Sequence, residues 1–470
     1  MSDDLSRLSA RTITSRIRAG ELSAREALQA HWDRIDQVNP AINAVIYEDR
    51  DRAFAEASAA DERQASGAEL PPLHGLPLTH KDTNNVTGMP TTWGSPLLVD
   101  AVATSDDVLV GRLRAAGAIS TGKSNVPEFA AGSHTFNEVF GLTRNPYDLT
   151  RSAGGSSGGV AAALAAGIQP LGDGSDMGGS VRIPAAFCNV AGLRPSHGSI
   201  PILTPNSWAW LGRTGPMARE IADIALAMSV VSGPDPRSPL SLPDVRASFA
   251  APLERDLRGL RIGWTVDFGL DLPVEPEVVS VFLESLREFE ELGLVVEQAT
   301  PDLSDADFVF TQTRAFDFEL GWGDLVRSDP ARVKPEMLWN VGLGTRQTGA
   351  DIRELTLART RLEGRMREYF SRFDLLLTPG AQCLPFPGEW RYPESINGRK
   401  LDTYLDWMRS ACVISAADVP ALALPAGFTP GGLPVGLQLV APHGADLLLL
   451  QVGHAFEQRT RHFERAPELA

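Results

Sequence analysis

Cysteine is scarce in this sequence. The 470 residues hold three, Cys188, Cys383 and Cys412, odd in number and far apart. That excludes a disulfide framework and any paired zinc spacing, and it suits a reducing compartment. Basic runs are missing as well. Acidic residues number 59 against 43 basic ones, giving a net charge of −16 and a pI near 5.0. A nucleic-acid binder would carry a basic footprint, so nucleic acid is not an expected partner. Long apolar runs are absent too. The longest, at residues 160–168 and 445–450, are too short to span a bilayer. The start, Met1-Ser2-Asp3-Asp4, is acidic and lacks the basic-then-apolar pattern of a signal peptide. The expectation is a cytoplasmic protein with no membrane association.

Lysine is the other shortage. There are four, Lys81, Lys123, Lys334 and Lys400, against 39 arginines. Lysine is therefore rarely used here for general surface charge, and each one is worth asking about.

What is present is a large globular composition. Apolar residues are 43% and charged residues 22%, which excludes a disordered chain, a collagen and a coiled coil. Ser23-Ala-Arg-Glu26 is a capping-box pattern. Ala27, Leu28, His31, Ile35 and Val38 follow at helical spacing, and the reading ends that helix at Pro40. Residues 53–64 form a further helical piece, so residues 1–66 read as an N-terminal helical arm packed on the rest.

From residue 72 short apolar strands alternate with amphipathic helices. The pattern predicts a strand over 73–79, a helix over 107–116 stopped by Gly117, and a strand over 118–121. An Ala-rich buried helix follows at 160–166. A strand–helix–strand unit covers 260–265, 277–292 and 294–298. Then come a helix at 352–370, a buried strand at 374–378, a hairpin of 421–428 with 435–440, and a closing helix at 445–456. Residues 232–258 and 327–350 read as loops. The fold class is α/β: one large domain over 67–470, with a mixed central sheet covered by helices on both faces.

Three motifs compete for the chemistry. Gly117-Ala-Ile-Ser-Thr-Gly122-Lys123-Ser124 satisfies the phosphate-loop letters. A phosphate loop needs a strand before its first glycine and a helix starting at Lys-Ser. Here a helix precedes Gly117, and the strand lies inside the would-be loop. Gly154-Gly155-Ser156-Ser157-Gly158 matches a nucleophile elbow, which needs an apolar strand just before it. The preceding Tyr147-Asp-Leu-Thr-Arg-Ser-Ala153 is too polar for a central strand.

The third is a constellation. Gly154-Gly-Ser-Ser-Gly-Gly159 opens the Ala-rich helix, and Ser180 lies 24 residues after Ser156, in Asp176-Met177-Gly178-Gly179-Ser180-Val-Arg-Ile-Pro-Ala. Two glycines let the backbone turn tightly, and successive N–H groups in such a turn form an anion nest. A serine at its end suits acyl transfer, with the N–H groups on the developing oxyanion. That serine needs a base. No histidine sits in either loop. Lys81 ends an apolar strand, where desolvation lowers a lysine pKa; an ordinary ion pair with Asp82 is the competing reading.

The Lys81 segment, the Gly-Gly-Ser-Ser-Gly-Gly loop and the Asp176–Ala185 segment together resemble the amidase signature family. The similarity extends to residues 71–95, 117–129, 187–195, 213–219 and 432–439, most of 20–460. The resemblance implies the amidase signature fold and a Ser–cis-Ser–Lys triad: Ser180 as nucleophile, Ser156 after a cis peptide and Lys81 as base. It places the oxyanion hole on the N–H groups of Met177, Gly178, Gly179 and Ser180. It implies hydrolysis of small-molecule amides, with esters and carbamates (urethanes) suited to the same chemistry, and no metal or organic cofactor. A monomer or homodimer is expected. Ser175 stands where many members have threonine. His80 stands where an apolar residue is usual, and the preferred reading is that it fills space. Pocket walls are expected from residues 200–212 and 310–410, with Trp208, Trp210, Trp322, Trp339, Trp390, Tyr404 and Trp407, favouring apolar or aromatic substrates. Two alternatives stand beside this: the glutaminase subunit of a tRNA-dependent amidotransferase, and an ATP-binding protein using Gly117 to Ser124.

Overall fold

Successive residues of single strands feed two separate cores. Along Ala421–Phe428, Leu422 and Leu424 belong to one buried cluster, and Ala421 and Ala423 to another. Leu375 and Leu377 join the first and Leu376 the second. This is the period of two expected of strands buried on both faces. The computed structural model describes residues 5–469; the acidic start at residues 1–4 lies outside them.

The N-terminal segment begins with α1 (Ala10–Ala19) and α2 (Ala24–Ile42). Ser23 caps α2 as its sequence predicts: Ser23 Oγ accepts the Glu26 N–H at 3.0 Å, and Glu26 Oε2 accepts the Ser23 N–H at 2.8 Å. Pro40 does not end this helix. The last turn closes at Asn43, whose N–H donates to Asn39 O at 2.8 Å, while Asn39 Oδ1 accepts the N–H groups of Ala44 and Val45. Nor is the arm all helix. Val45–Glu48 is strand β1, followed by α3 (Arg50–Ala65).

Next come β2 (Pro77–Lys81), α4 (Val108–Ala115) and β3 (Ile119–Ser124). β1 pairs antiparallel and β2 parallel with β3, a small sheet of order β1-β3-β2. β2 starts later than the pattern predicts, because Gly75 (φ 76°) turns the chain just before it.

The large sheet contains β4 (Leu171–Asp176), β5 (Ala191–Arg194), β6 (Arg213–Ala218), β7 (Arg261–Trp264), β8 (Val295–Gln298) and β9 (Leu375–Pro379). The hairpin β10 (Ala421–Phe428) and β11 (Pro434–Val440) completes it. Its order is β8-β7-β9-β11-β10-β5-β6-β4, parallel across β8-β7-β9 and antiparallel elsewhere.

Helices cover both faces. On one side pack α5 (Gly158–Ala165) and α6 (Arg182–Phe187). α7 (Ile221–Val231) packs on the other, and the short α8 (Arg246–Phe249) lies against α7. α9 (Pro276–Glu291) shares that side. α10 (Ala306–Ser328), α11 (Pro335–Thr345), α12 (Gly349–Phe370), α13 (Arg409–Ala416) and α14 (Asp446–Thr460) follow. α12 and α13 join the first side and α14 the second. The α11 helix corrects the reading of 327–350 as a loop. Pro335 sits in its first turn, where a missing N–H costs nothing, so the proline starts a helix rather than breaking one. Among the described residues, no helix is long and apolar enough to cross a membrane.

Candidate active site

Strand β2 is buried along its whole length and ends at Lys81. Lys81 Nζ lies 2.7 Å from Ser156 Oγ, 2.9 Å from Ser157 Oγ and 2.8 Å from Ser175 Oγ. The ion pair with Asp82 is not formed; the Asp82 carboxylate accepts the N–H and hydroxyl of Thr92 instead. A fully buried ammonium held only by hydroxyls and a carbonyl is poorly stabilised. Burial pushes Lys81 down to about 7, and the carboxylates of Asp176 and then Asp173 pull it partly back up.

Ser156 follows a cis Gly155–Ser156 peptide. The loop that carries it runs into α5, and the Ser157 N–H donates to Ser180 O at 3.0 Å. That bond ties the Ser156 loop to the Ser180 loop. Ser180 itself is buried at the end of the turn that follows β4.

Asp176 holds that turn. Its carboxylate accepts the N–H of Gly179 at 2.9 Å and of Val181 at 3.2 Å. Arg182 bonds both of its oxygens at 3.0 Å, and Arg194 donates to its carbonyl. Burial pushes the Asp176 carboxyl up, but Arg182 and Arg194 outweigh it and hold the group well below the usual carboxylate range. The paired glycines are explained by contact. A Cβ on Gly178 would fall 2.6 Å from the Phe310 ring, and one on Gly179 (φ 103°) 2.5 Å from Ala411 Cβ. Of the four N–H groups named from the sequence, that of Gly179 is therefore engaged by Asp176 in this structure.

A cavity of about 470 Å³ meets this region at Ser175, Asp176 and Met177. Trp93, Phe129, Ile202, Leu203, Phe318 and Trp322 give it apolar walls, and Arg314 and Asp317 add polar groups. Arg314 is held by Tyr404 Oη at 2.9 Å and Asn340 Oδ1 at 3.1 Å, and its Nη1 lies 3.2 Å from Met177 Sδ.

Of the seven aromatics expected on the walls, Trp322 alone is among the lining residues. Trp407 is in the core beside Phe187 and Phe386. Trp210 lies under the Arg359 guanidinium at 3.9 Å, and Trp339 packs on Tyr404. Trp208 and Trp390 are exposed. Tyr404 does not line the cavity, but its Oη holds Arg314, which does. Sequence reasoning missed Trp93 and Phe129, which meet Trp322 at 4.9 and 5.0 Å between ring centroids. Both have positive φ, a local feature that no spacing rule reports. It also missed Ser157, Asp173 and the Asp176–Arg182–Arg194 cluster.

Both competing motifs are structural. Gly122, Lys123 and Ser124 lie inside buried β3, and Lys123 Nζ donates to Asn84 O at 2.6 Å and Thr91 Oγ1 at 2.9 Å. No helix begins there to meet a phosphate, which overturns the ATP-binding reading. Asp148–Ser152 is a strand, but its ladder is a two-stranded sheet with Arg144–Asn145, with a single bridge from Arg151 to Pro387, so the elbow lacks its central strand.

The Amidase family profile matches residues 26–450. An acylamidase of Rhodococcus erythropolis is 37% identical over 459 residues, 96% of this chain and 95% of that protein. One chain of the glutamyl-tRNA(Gln) amidotransferase of Chloroflexus aggregans is 35% identical over 480 residues, 96% of this chain and 96% of that one. A bacterial aryl acylamidase of the amidase signature family superposes with a TM-score of 0.91 at 31% identity, covering 97% of this chain and 98% of that one. A 6-aminohexanoate cyclic dimer hydrolase superposes with a TM-score of 0.88 at 29% identity, over 99% of both. With likeness of this depth along nearly its whole length, the chain belongs to the amidase signature family, and it is a hydrolase that acts on C–N bonds.

Proposed function

We propose that this protein is a serine amidohydrolase that cleaves linear amides with an apolar or aromatic part through an acyl-enzyme on Ser180. Esters and carbamates fit the same chemistry. The observation that carries this reading is the buried Lys81 amine, 2.7 Å from Ser156 Oγ and bonded, among the described residues, only to serine oxygens.

In the proposed reaction neutral Lys81 takes the proton of Ser156, and Ser156 takes the proton of Ser180. Ser180 Oγ attacks the carbonyl carbon, and the negative oxygen is held by N–H groups of the turn from Met177 to Ser180. The Gly179 N–H stays on Asp176 and fixes the turn, which leaves Met177, Gly178 and Ser180 to donate. As the C–N bond breaks, Ser156 passes its proton to the leaving nitrogen and is reprotonated by Lys81. Water then attacks the acyl ester, the relay carries its proton, and Ser180 departs with the proton returned. The walls of Trp93, Phe129, Phe318 and Trp322 support an apolar or aromatic substrate. Three buried free cysteines fit a reducing, cytoplasmic setting.

The test is labelling by an aryl sulfonyl fluoride or organophosphonate, followed by peptide mass spectrometry. One adduct on Ser180, absent in Ser180→Ala, is expected; an adduct on Ser156 instead would sink the assignment. A panel of p-nitroanilides, aliphatic amides and aryl carbamates then ranks substrates. The 35% identity to one chain of a glutamyl-tRNA(Gln) amidotransferase favours one second reading, the glutaminase component of such an assembly. It predicts glutamine hydrolysis and a co-purifying partner protein, whereas the amidohydrolase works alone on aryl amides.

A further inference from the structure

β2 carries the proposed base and β4 leads into the proposed nucleophile, and the two strands lie side by side. Among the described residues no backbone ladder joins them; they are edges of different sheets. Side chains bridge the gap. Gln169 Oε1 accepts the Thr79 N–H at 2.8 Å and its hydroxyl at 2.7 Å. Asp173 Oδ1 accepts the Lys81 N–H at 2.8 Å. The other Asp173 oxygen meets His80 Nδ1 at 2.7 Å, and His80 Nε2 meets Ser120 Oγ on β3 at 2.9 Å. All three side chains are buried.

Both ring nitrogens of His80 are thus engaged, which corrects the reading of this residue as a space-filler. An apolar side chain would fill the same volume and leave two buried polar groups short of a partner.

Two carboxylates act on Lys81 through space, and their surroundings differ. Asp176 is paired with Arg182 and Arg194. Asp173 has no arginine or lysine ion pair among the described residues; the His80 ring meets its carboxylate instead. The other charged groups around it are Lys123 on β3, Asp107 before α4 and Asp82 beside Lys81; Lys123 faces all three carboxylates.

We propose that His80 is a positioning residue that acts through Asp173 on the Lys81 base. This rests on the proposed role of Lys81. The His80 Nδ1–H fixes the Asp173 carboxylate so that its other oxygen holds the Lys81 peptide at the strand end. It also draws negative charge toward itself and away from the lysine. An Asp173 carboxylate without that donor would hold Lys81 more firmly as an ammonium, which cannot take a proton. His80 therefore keeps the neutral amine accessible near neutral pH.

The test is the pH profile of kcat on one aryl amide for wild type, His80→Leu, His80→Asn, Asp173→Asn and the double variant His80→Leu/Asp173→Asn. His80→Leu should move the rising limb to higher pH by about one unit, and Asp173→Asn should move it to lower pH. His80→Asn retains an N–H near the Nδ1 position and should keep the limb near wild type. The double variant should follow Asp173→Asn. If His80→Leu and Asp173→Asn both leave the limb within about 0.3 unit of wild type, His80 merely packs, and a uniform loss of rate supports the same conclusion. If His80→Leu does not fold, Asp173→Asn decides: a limb that stays put or moves up overturns the proposal. Failure of the parent reading shows differently, as a phosphonate that does not label Ser180 or a limb that survives in Lys81→Ala.

Discussion

Lys81 Nζ and Ser156 Oγ stand 2.7 Å apart in a site where, among the described residues, every other atom bonded by the amine is also a serine oxygen. Hydroxyls accept from an ammonium and donate to an amine equally well, so this shell tolerates both protonation states. Burial, the largest influence, brings the lysine down to about 7. Below that pH the amine is protonated and cannot act as a base. The rate should rise with pH through about 7 and then level off. Lys81→Ala should remove the limb and most of the rate, and Lys81→Arg should not restore it, because a guanidinium cannot accept the proton. Esters should lose less than amides, since an alkoxide leaves with less need of a proton. Near wild-type amide hydrolysis by Lys81→Arg would rule the lysine out as base. The same shift bears on the fold. Between about pH 7 and 10.5 the unfolded chain binds the lysine proton and the folded one does not, so stability rises with pH there. Chemical denaturation of wild type and Lys81→Met at pH 7 and 9.5 reads that difference.

Lys123 completes the phosphate-loop letters, but it sits in β3 with its amine on Asn84 O and Thr91 Oγ1. Lys123→Ala strips two buried acceptors of their donor, at a cost of about 2 kcal/mol. Denaturant midpoints should fall accordingly, and added ATP should leave the wild-type thermal midpoint unchanged. An ATP-induced rise lost in Lys123→Ala would restore the discarded motif.

The sites that were legible in the sequence are those whose chemistry depends on residue type in short order. Lys81, Ser156 and Ser180 stand in continuous motifs; that the Ser157 N–H ties the two serine loops together is visible only in the structure. The hairpin β10–β11 was readable from two apolar runs around a Pro-Gly-Gly turn, and helix α9 from its periodicity. What was not legible is set by partners distant in sequence. Val45–Glu48 is a strand because β3 offers it an edge, and nothing within residues 1–66 announces that. Pro335 reads as a breaker until its place in the first turn of α11 is known. The cavity walls are the largest miss. Aromatic content pointed to Trp407 and Trp210, which the core takes, while Trp93 and Phe129 come from segments read for motif alone.

Asp176 and Gly179 offer a test of the proposed oxyanion turn. Asp176→Asn keeps the shape but removes the charge that two buried guanidiniums face. Breaking such a cluster on one side costs about 3 kcal/mol or more. The expected result is a lower thermal midpoint and a kcat that falls far more than KM rises, because the N–H groups no longer hold the developing charge in place. A variant that keeps wild-type kcat would show that the turn does not depend on this clamp.

Trp322 and Trp208 separate cavity from surface. Trp322 lines the cavity and packs against both Trp93 and Phe129; Trp208 is 68% exposed. If the cavity binds the apolar part of the substrate, Trp322→Ala removes one of its aromatic walls. Losing that contact in the transition state should lower kcat/KM for an aryl amide by about tenfold, or 1.4 kcal/mol. A short aliphatic amide lacks the aromatic part that would meet this wall, so its kcat/KM should stay within about twofold, a difference of roughly 0.4 kcal/mol. Trp208→Ala should change neither. The comparison of two substrates guards against a general effect on folding, which would lower both rates together. Equal losses on the aryl and the short aliphatic amide in Trp322→Ala would mean that this cavity is not where the substrate's aromatic part binds.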